Sequence, residues 1–300
     1  MSSRGATSRA GIVEIVACTL AWGTIGPIVE HLSLSSTLIV FFRLAFGMAV
    51  VLAWLVARRR LADLRPGARF GLLLSSGVVL GAHWVLLFAA YKRIGVDTTI
   101  LIVFVAPVLW TAAAPFALRE RVRASSFAAL VVAFGGVALI SVPKIGHVNA
   151  VGLADAFASG VLFAVLLLVT KIVTEEYRPA AIVVWQQGIA TVLLSPALVG
   201  ASAHEVARGL PLLVLLGAGY TGLLGIVLFH AVRALEAQQI GVLWYLEPAS
   251  AVLFAWWLLG EHPAASTIAG GLLIVLAGVG IIVAGRSAIA QTPAVQEVST

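Results

Sequence analysis

Pro107 and Glu120 stand 13 residues apart, and Pro248 and Glu261 repeat that spacing 141 residues later. The same offset pairs Gly11 with Gly152, Glu14 with Asp155, Gly81 with Gly222, Phe88 with Phe229, Ala90 with Ala231 and Lys92 with Arg233. A period of this length divides the chain into two copies of one unit, and an architecture assigned without it would be misassigned. The first unit is expected over residues 11–143 and the second over 151–285, with a leader at 1–10 and a tail at 286–300.

Composition sets the solvent of these units. Of 300 residues, 61% are hydrophobic and 11% charged, whereas an average soluble domain carries roughly 25% charged residues. Ten apolar runs recur at 11–29, 37–57, 69–91, 96–117, 124–141, 151–171, 180–199, 210–232, 240–259 and 266–284. Each approaches the roughly 20 residues that cross a hydrocarbon core as helix. No run alternates polar and apolar residues as a barrel strand would, so the expected fold is all-α: an integral membrane bundle of ten helices, its backbone groups satisfied within each helix. The first apolar run has no evident cleavage site and is expected to remain in the bundle. Leader and tail read as disordered.

Charge gives an orientation. With the N-terminus inside, 14 of the 19 Lys and Arg residues fall in inner segments, among them Arg58 to Arg60 and Arg119, Arg121 and Arg123. Both termini are therefore expected on the cytoplasmic side. The net charge of +6 reads as topology and not as a nucleic-acid surface. Five helices per unit is an odd number, so the second unit must enter the membrane from the opposite side, as an inverted repeat. Inverted repeats place a substrate site at their interface near the midplane.

The segments Leu20-Ala21-Trp22-Gly23, Phe41-Phe42-Arg43, Pro107 to Glu120-Arg121 and Pro248 to Gly260-Glu261-His262-Pro263 resemble the two EamA repeats of the drug/metabolite transporter superfamily. The resemblance covers about residues 11–284, and the duplicated proline and glutamate spacing is its most specific part. Within the superfamily the chain is most similar to bacterial amino-acid and metabolite exporters, including the YddG aromatic amino-acid exporter type. The resemblance implies ten helices, cytoplasmic termini, a central cavity and efflux across a bacterial inner membrane. Asp155 and Phe163 depart from the pattern, because the second repeat lacks the Trp-Gly pair.

Motifs for other chemistry are missing. There is no GxxxxGK[ST], so transport is expected to be passive or ion-coupled unless a separate subunit hydrolyses ATP. The GxGxxG from Gly217 to Gly222 lies inside an apolar run and follows no strand, so it reads as close helix packing; Gly77 and Gly81 read the same way. No HExxH, CxxC or nucleophile elbow supports an enzyme, and neither a metal nor a cofactor is expected. Cys18 is alone and reads as a small packing residue.

Polar and aromatic groups within the runs carry the remaining signal, since a charge at the centre of a bilayer costs about 2.5–3.5 kcal/mol on insertion scales. His83, near the middle of the third helix, is either bonded to a neighbouring helix or a cavity residue. Glu247 beside Pro248 joins a carboxylate to a weakened turn, with Pro107 kinking the fourth helix at the matching depth. Trp22, Trp84, Phe104, Phe163 and Tyr220 are candidates to line a cavity, with Tyr245 and Trp244 as weaker ones. Glu14, His83 and Glu247 are candidates for proton or cation coupling, although Glu14 and Asp155 lie close to helix ends and read first as interfacial. Lys171 and His230 read as interfacial too. Arg43 reads as an anchor between helices in preference to a substrate contact. Trp54, Trp185 and Trp257 read as an interfacial belt.

Two functions from different classes fit. One is export of amino acids or related metabolites by alternating access, with proton-coupled efflux of cationic drugs as its rival. The other is a non-transporting membrane scaffold or receptor, which would need large soluble loops that the sequence lacks. The expected partners are a small-molecule substrate and lipid, with no nucleic acid. One polypeptide supplies both halves, so a monomer suffices.

Overall fold

Ten helices long and apolar enough to cross a membrane account for most of the chain: Arg9–Val29, Ser36–Ala57, Phe70–Ile94, Thr98–Ala117, Ala124–Lys144, Ala150–Val173, Pro179–Leu198, Ala203–Ala234, Ala237–Leu259 and Ala265–Val283. The computed structural model describes residues 3–260 and 262–290. Glu261 of the duplicated motif therefore lies outside the described residues, as do Met1, Ser2 and the tail from Gln291. The leader and the start of the tail differ from expectation, because helix begins at Ser3 and the last helix runs to Ala290. Neither Ser3–Ala10 nor Arg286–Ala290 contains proline, and only Gly5 interrupts a run of helix-compatible residues.

Local chemistry starts several spans. The Ser35 hydroxyl accepts from the Leu38 N–H at 3.3 Å and the Asn149 side chain from the Gly152 N–H at 2.8 Å, each satisfying a donor that the first turn of a helix leaves free. The eighth span opens seven residues earlier than its apolar run, because Ser202 caps an amphipathic turn containing His204, Glu205 and Arg208. The outer faces remain apolar: Phe116 is 88% and Trp257 75% exposed, which suits contact with lipid hydrocarbon.

Contacts between the two halves recur in pairs at the 141-residue offset. The first span packs on the eighth and the sixth on the third, while the second and seventh pack on each other, as do the fifth and tenth. Gly11 lies against Ala234 and Leu235, and Gly152 against Arg93 and Ile94, the equivalent positions. The Cys18 thiol donates to the Leu224 carbonyl at 3.6 Å. At the matching place Ser159 Oγ donates to the His83 carbonyl at 3.3 Å.

Backbones meet closely where glycine allows it. A Cβ at Gly217 would fall 2.5 Å from Phe46 Cβ, and one at Gly222 2.8 Å from the Gly47 carbonyl, so the glycine-rich segment is a packing surface against the second span. That segment, Leu215–Leu223, is a π-helical turn, a form that gathers at functional sites.

Three spans are broken. The first is interrupted at Gly23 and Thr24, the fourth at Phe104 and Val105, and the ninth at Tyr245. The last two breaks come just before Pro107 and Pro248, as a missing N–H and a bulky ring require. They also meet: the Tyr245 hydroxyl donates to the Phe104 carbonyl at 2.6 Å, with ring centroids 5.8 Å apart. Phe104 and Tyr245 are themselves equivalent residues of the two halves.

Candidate substrate site

Beside those breaks the two halves bring together a continuous band of rings. Trp22 of the first span lies 5.5 Å from Trp244 of the ninth, and Trp244 lies 5.5 Å from Phe163 of the sixth. Phe163 stacks on His83 of the third span at 5.0 Å, and His83 adjoins Trp84 at 5.5 Å. Trp22, Trp84 and Phe163 each keep part of their surface accessible, although they lie far from both chain ends of the bundle. Trp22 and Phe163, equivalent by the repeat, thus press on the same Trp244 from two sides.

Charges stand next to this band. Arg43 of the second span places its guanidinium carbon 5.9 Å from the Trp84 ring centroid, a cation–π distance. Its hydrogen bond runs from Nε to Thr221 Oγ1 at 3.3 Å, and Thr221 is fixed in turn by donating to the Leu216 carbonyl at 2.8 Å. Glu247 stands one turn beyond Trp244, with its carboxylate beside that indole. Arg43, Tyr91 and Glu247 are electrostatic neighbours. Arg43 and Glu247 nevertheless form no ion pair at 4.0 Å or less, and both keep accessible surface. The Trp84 indole N–H is buried without a hydrogen-bond partner among the described residues.

Several candidates are tied up in bonds of their own. His83 is only 4% exposed, and its Nδ1 meets Ser159 Oγ at 2.9 Å, so of its two readings the bond to a neighbouring helix is the one observed. Tyr245 is fully buried and spends its hydroxyl on Phe104; it belongs to the meeting of the two breaks and not to the ring band, whose Trp22, Trp84 and Phe163 keep accessible surface while Trp244 and His83 are buried, and Phe104 packs with it. The Tyr220 hydroxyl lies 2.8 Å from Thr24 Oγ1, and its carbonyl accepts from Trp22 Nε1 at 3.1 Å. Tyr220 therefore ties the break of the first span to the π-helical turn. Glu14 pairs with His230 at 2.7 Å near one end of the bundle.

Lys171 needs the clearest correction. It does not reach outward to an interface; it is largely buried, and its ammonium donates to the carbonyls of Val232, at 2.8 Å, and Leu235. Glu120 lies 3.5 Å away with its other oxygen accepting from the Ala237 N–H at 2.6 Å. The pair closes this end of the bundle across the fourth, sixth, eighth and ninth spans. At the other end Arg93 pairs with Asp155. Trp185 also departs from a simple belt, since its indole donates to the Leu64 carbonyl at 3.2 Å.

Two hollows lie away from the ring band, and neither is the expected central cavity. One of about 240 Å³ is lined by Arg93, Gly95, Lys144 and His147, and one of about 350 Å³ lies between the fifth and tenth spans. Trp244, a weaker candidate in the sequence, joins the two halves of the band, and Tyr91 was not singled out there; for Arg43 the available signal was a charge two turns inside an apolar run. No group of three or more His, Cys, Asp or Glu among the described residues has the arrangement of a metal site.

Known proteins with related sequences agree with the architecture. The chain is 24% identical over 284 residues, 92% of its own length and 90% of the relative's, to the uncharacterized transporter YxxF of Bacillus subtilis strain 168. A solved crystal structure covering 95% of this chain and 100% of its own superposes with a TM-score of 0.80 at 19% identity, a likeness of fold alone. Residues 9–142 and again 150–284 match the EamA-like transporter family, and the chain, a multi-pass membrane protein, belongs to that family.

Proposed function

We propose that this transporter exports amino acids or related small metabolites across a bacterial inner membrane, exposing one central site alternately to each side. The observation that carries the reading is the ring band, in which Trp22 and Phe163 from the two halves converge on Trp244 beside the paired breaks at Phe104 and Tyr245. A site built by both halves at their common boundary is reached from either side when the halves rock. The two repeats, on this reading, are inverted, and both termini face the cytoplasm. The band and Glu247 form the substrate wall, Pro107 and Pro248 set the bends, and a single chain is sufficient. Efflux of cationic drugs is the weaker alternative, because Arg43 sets a positive charge against the band and Glu14 is already paired with His230.

Purified protein in liposomes, given a panel of labelled amino acids and a labelled quaternary cation, tests this. Saturable flux of at least one amino acid is expected, together with its loss when Trp244 is replaced by alanine in protein that still folds. Flux of the cation alone would overturn the amino-acid reading.

A further inference from the structure

Two opposite charges beside a ring wall, held apart and not joined, have a chemical meaning. Each charge is expensive within a span, and if their only task were to neutralise one another, direct contact would serve best, because attraction rises as separation falls. Arg43 is instead held back by Thr221 and by the face of Trp84, while Glu247 stands on the ninth span, one turn beyond Trp244 of the ring band. The same Trp84 carries a second donor, its indole N–H, which is buried with no hydrogen-bond partner among the described residues. A buried donor without a partner is costly, and a ligand oxygen reaching it would remove that cost. The Arg43 side therefore offers two kinds of N–H donor to an anion, the Glu247 side offers an acceptor to a cation, and the rings between offer an apolar face.

We infer that Arg43 with Trp84 receives the carboxylate of an α-amino acid and Glu247 its ammonium, so that the site reads a zwitterion at both ends with the side chain against the ring band. The assignment rests on the transport reading above and gives it a recognition rule: loss of either charge from the ligand removes one interaction and leaves a protein charge unanswered. An amine is repelled by Arg43 and an acid by Glu247. Tyr91, the third polar neighbour, lies within electrostatic reach of both charges.

The test is displacement of labelled L-phenylalanine from the protein in lipid nanodiscs at neutral pH by three competitors: L-phenylalanine, 2-phenylethylamine and 3-phenylpropanoate. Wild-type protein is expected to prefer the zwitterion over each analogue by at least tenfold. Glu247→Gln is expected to lose most of its preference against 3-phenylpropanoate only, and Arg43→Gln against 2-phenylethylamine only. Equal displacement by all three ligands in wild type, or a wild-type ranking retained in both variants, overturns the assignment. The wild-type ranking decides the matter even where a variant fails to fold. Absence of saturable phenylalanine binding overturns it as well, and the liposome panel separately reports whether amino-acid transport survives; flux without zwitterion preference sinks this inference and leaves the transport reading standing.

Discussion

Replacing Tyr245 by phenylalanine tests whether the two helix breaks are one mechanical unit. In an unbroken helix the Phe104 carbonyl would accept from the Val108 N–H four residues on, but at the break before Pro107 that N–H is turned to Val105 at 3.0 Å. The Phe104 carbonyl is thus left over by its own helix, and the Tyr245 hydroxyl from the other half takes it at 2.6 Å. Tyr245→Phe keeps the ring contacts with Phe104 and Phe134 and removes only that donor. A neutral hydrogen bond contributes about 0.5–1.5 kcal/mol net, while an acceptor stranded in an apolar interior costs about 1–3 kcal/mol. Since this bond is partly buried, about 1–2 kcal/mol is expected. At roughly 2–4 °C per kcal/mol for a large domain, thermal unfolding in detergent should fall by several degrees. The decisive measurement is a double-mutant cycle with Pro107→Ala, which removes the ring and supplies an N–H for the Val103 carbonyl, so that an unbroken helix can turn the Val108 N–H back to Phe104. In that background Tyr245→Phe should lose less than about 0.5 kcal/mol, a coupling of the size found between residues sharing one network. Equal losses in both backgrounds would refute the idea that the proline break creates the need Tyr245 fills.

Two further outcomes follow from the packing. Lys171→Met removes a largely buried ammonium from two carbonyls and leaves Glu120 with only the Ala237 N–H; breaking a buried pair on one side costs about 3–5 kcal/mol, reduced here to about 2–4 because both side chains keep some exposure. Its signature is a lower unfolding temperature together with faster labelling of a cysteine placed at Leu235. Gly23→Ala puts a Cβ 2.1 Å from Ser250 Oγ and 2.7 Å from the backbone of Ser250 and Ala251, so overpacking of about 1–3 kcal/mol should appear in thermal unfolding and persist when Ser250 is also alanine, because the backbone cannot be trimmed.

How far the sequence is legible depends on the range of the interaction. Spans are local events, and apolar length places them to within a few residues, except where Ser202 starts the eighth span through polar residues that hydropathy does not count. The breaks before Pro107 and Pro248 are legible for the same reason, since proline acts on its own helix, whereas the break at Gly23 and Thr24 was not read from the sequence. Lys171 was misread because its partners are the carbonyls of Val232 and Leu235, which have no letter in a sequence. His83 presents the intermediate case. Its partner Ser159 lies 76 residues away, yet the repeat pairs Ser159 with Cys18 and His83 with Leu224, two residues that also bond. The period relates the two contacts, so that either one, once seen, gives the other. The approach of Arg43 to Glu247, between spans two and nine, has no such equivalent.

That missing equivalent bears on the proposed site. By the 141-residue offset Arg43 corresponds to Val184, and Glu247 to Ala106. Symmetric copies of either charge would set like charges on both sides of a narrow centre, where their repulsion is weakly screened. Keeping each charge in one half only yields a cation and an anion, and hence a polarity across the site. On the proposed mechanism the scaffold has reason to stay symmetric: the paired bends, the glycine contacts at Gly11 and Gly152 and the thiol and hydroxyl bonds at Cys18 and Ser159 bear on motions that alternating access would ask of both halves. A small ligand with distinct ends has no twofold axis, and its recognition is freed from that requirement. Substitutions in the symmetric set should therefore change stability and rate together, whereas substitutions at Arg43 and Glu247 should change which ligand is bound.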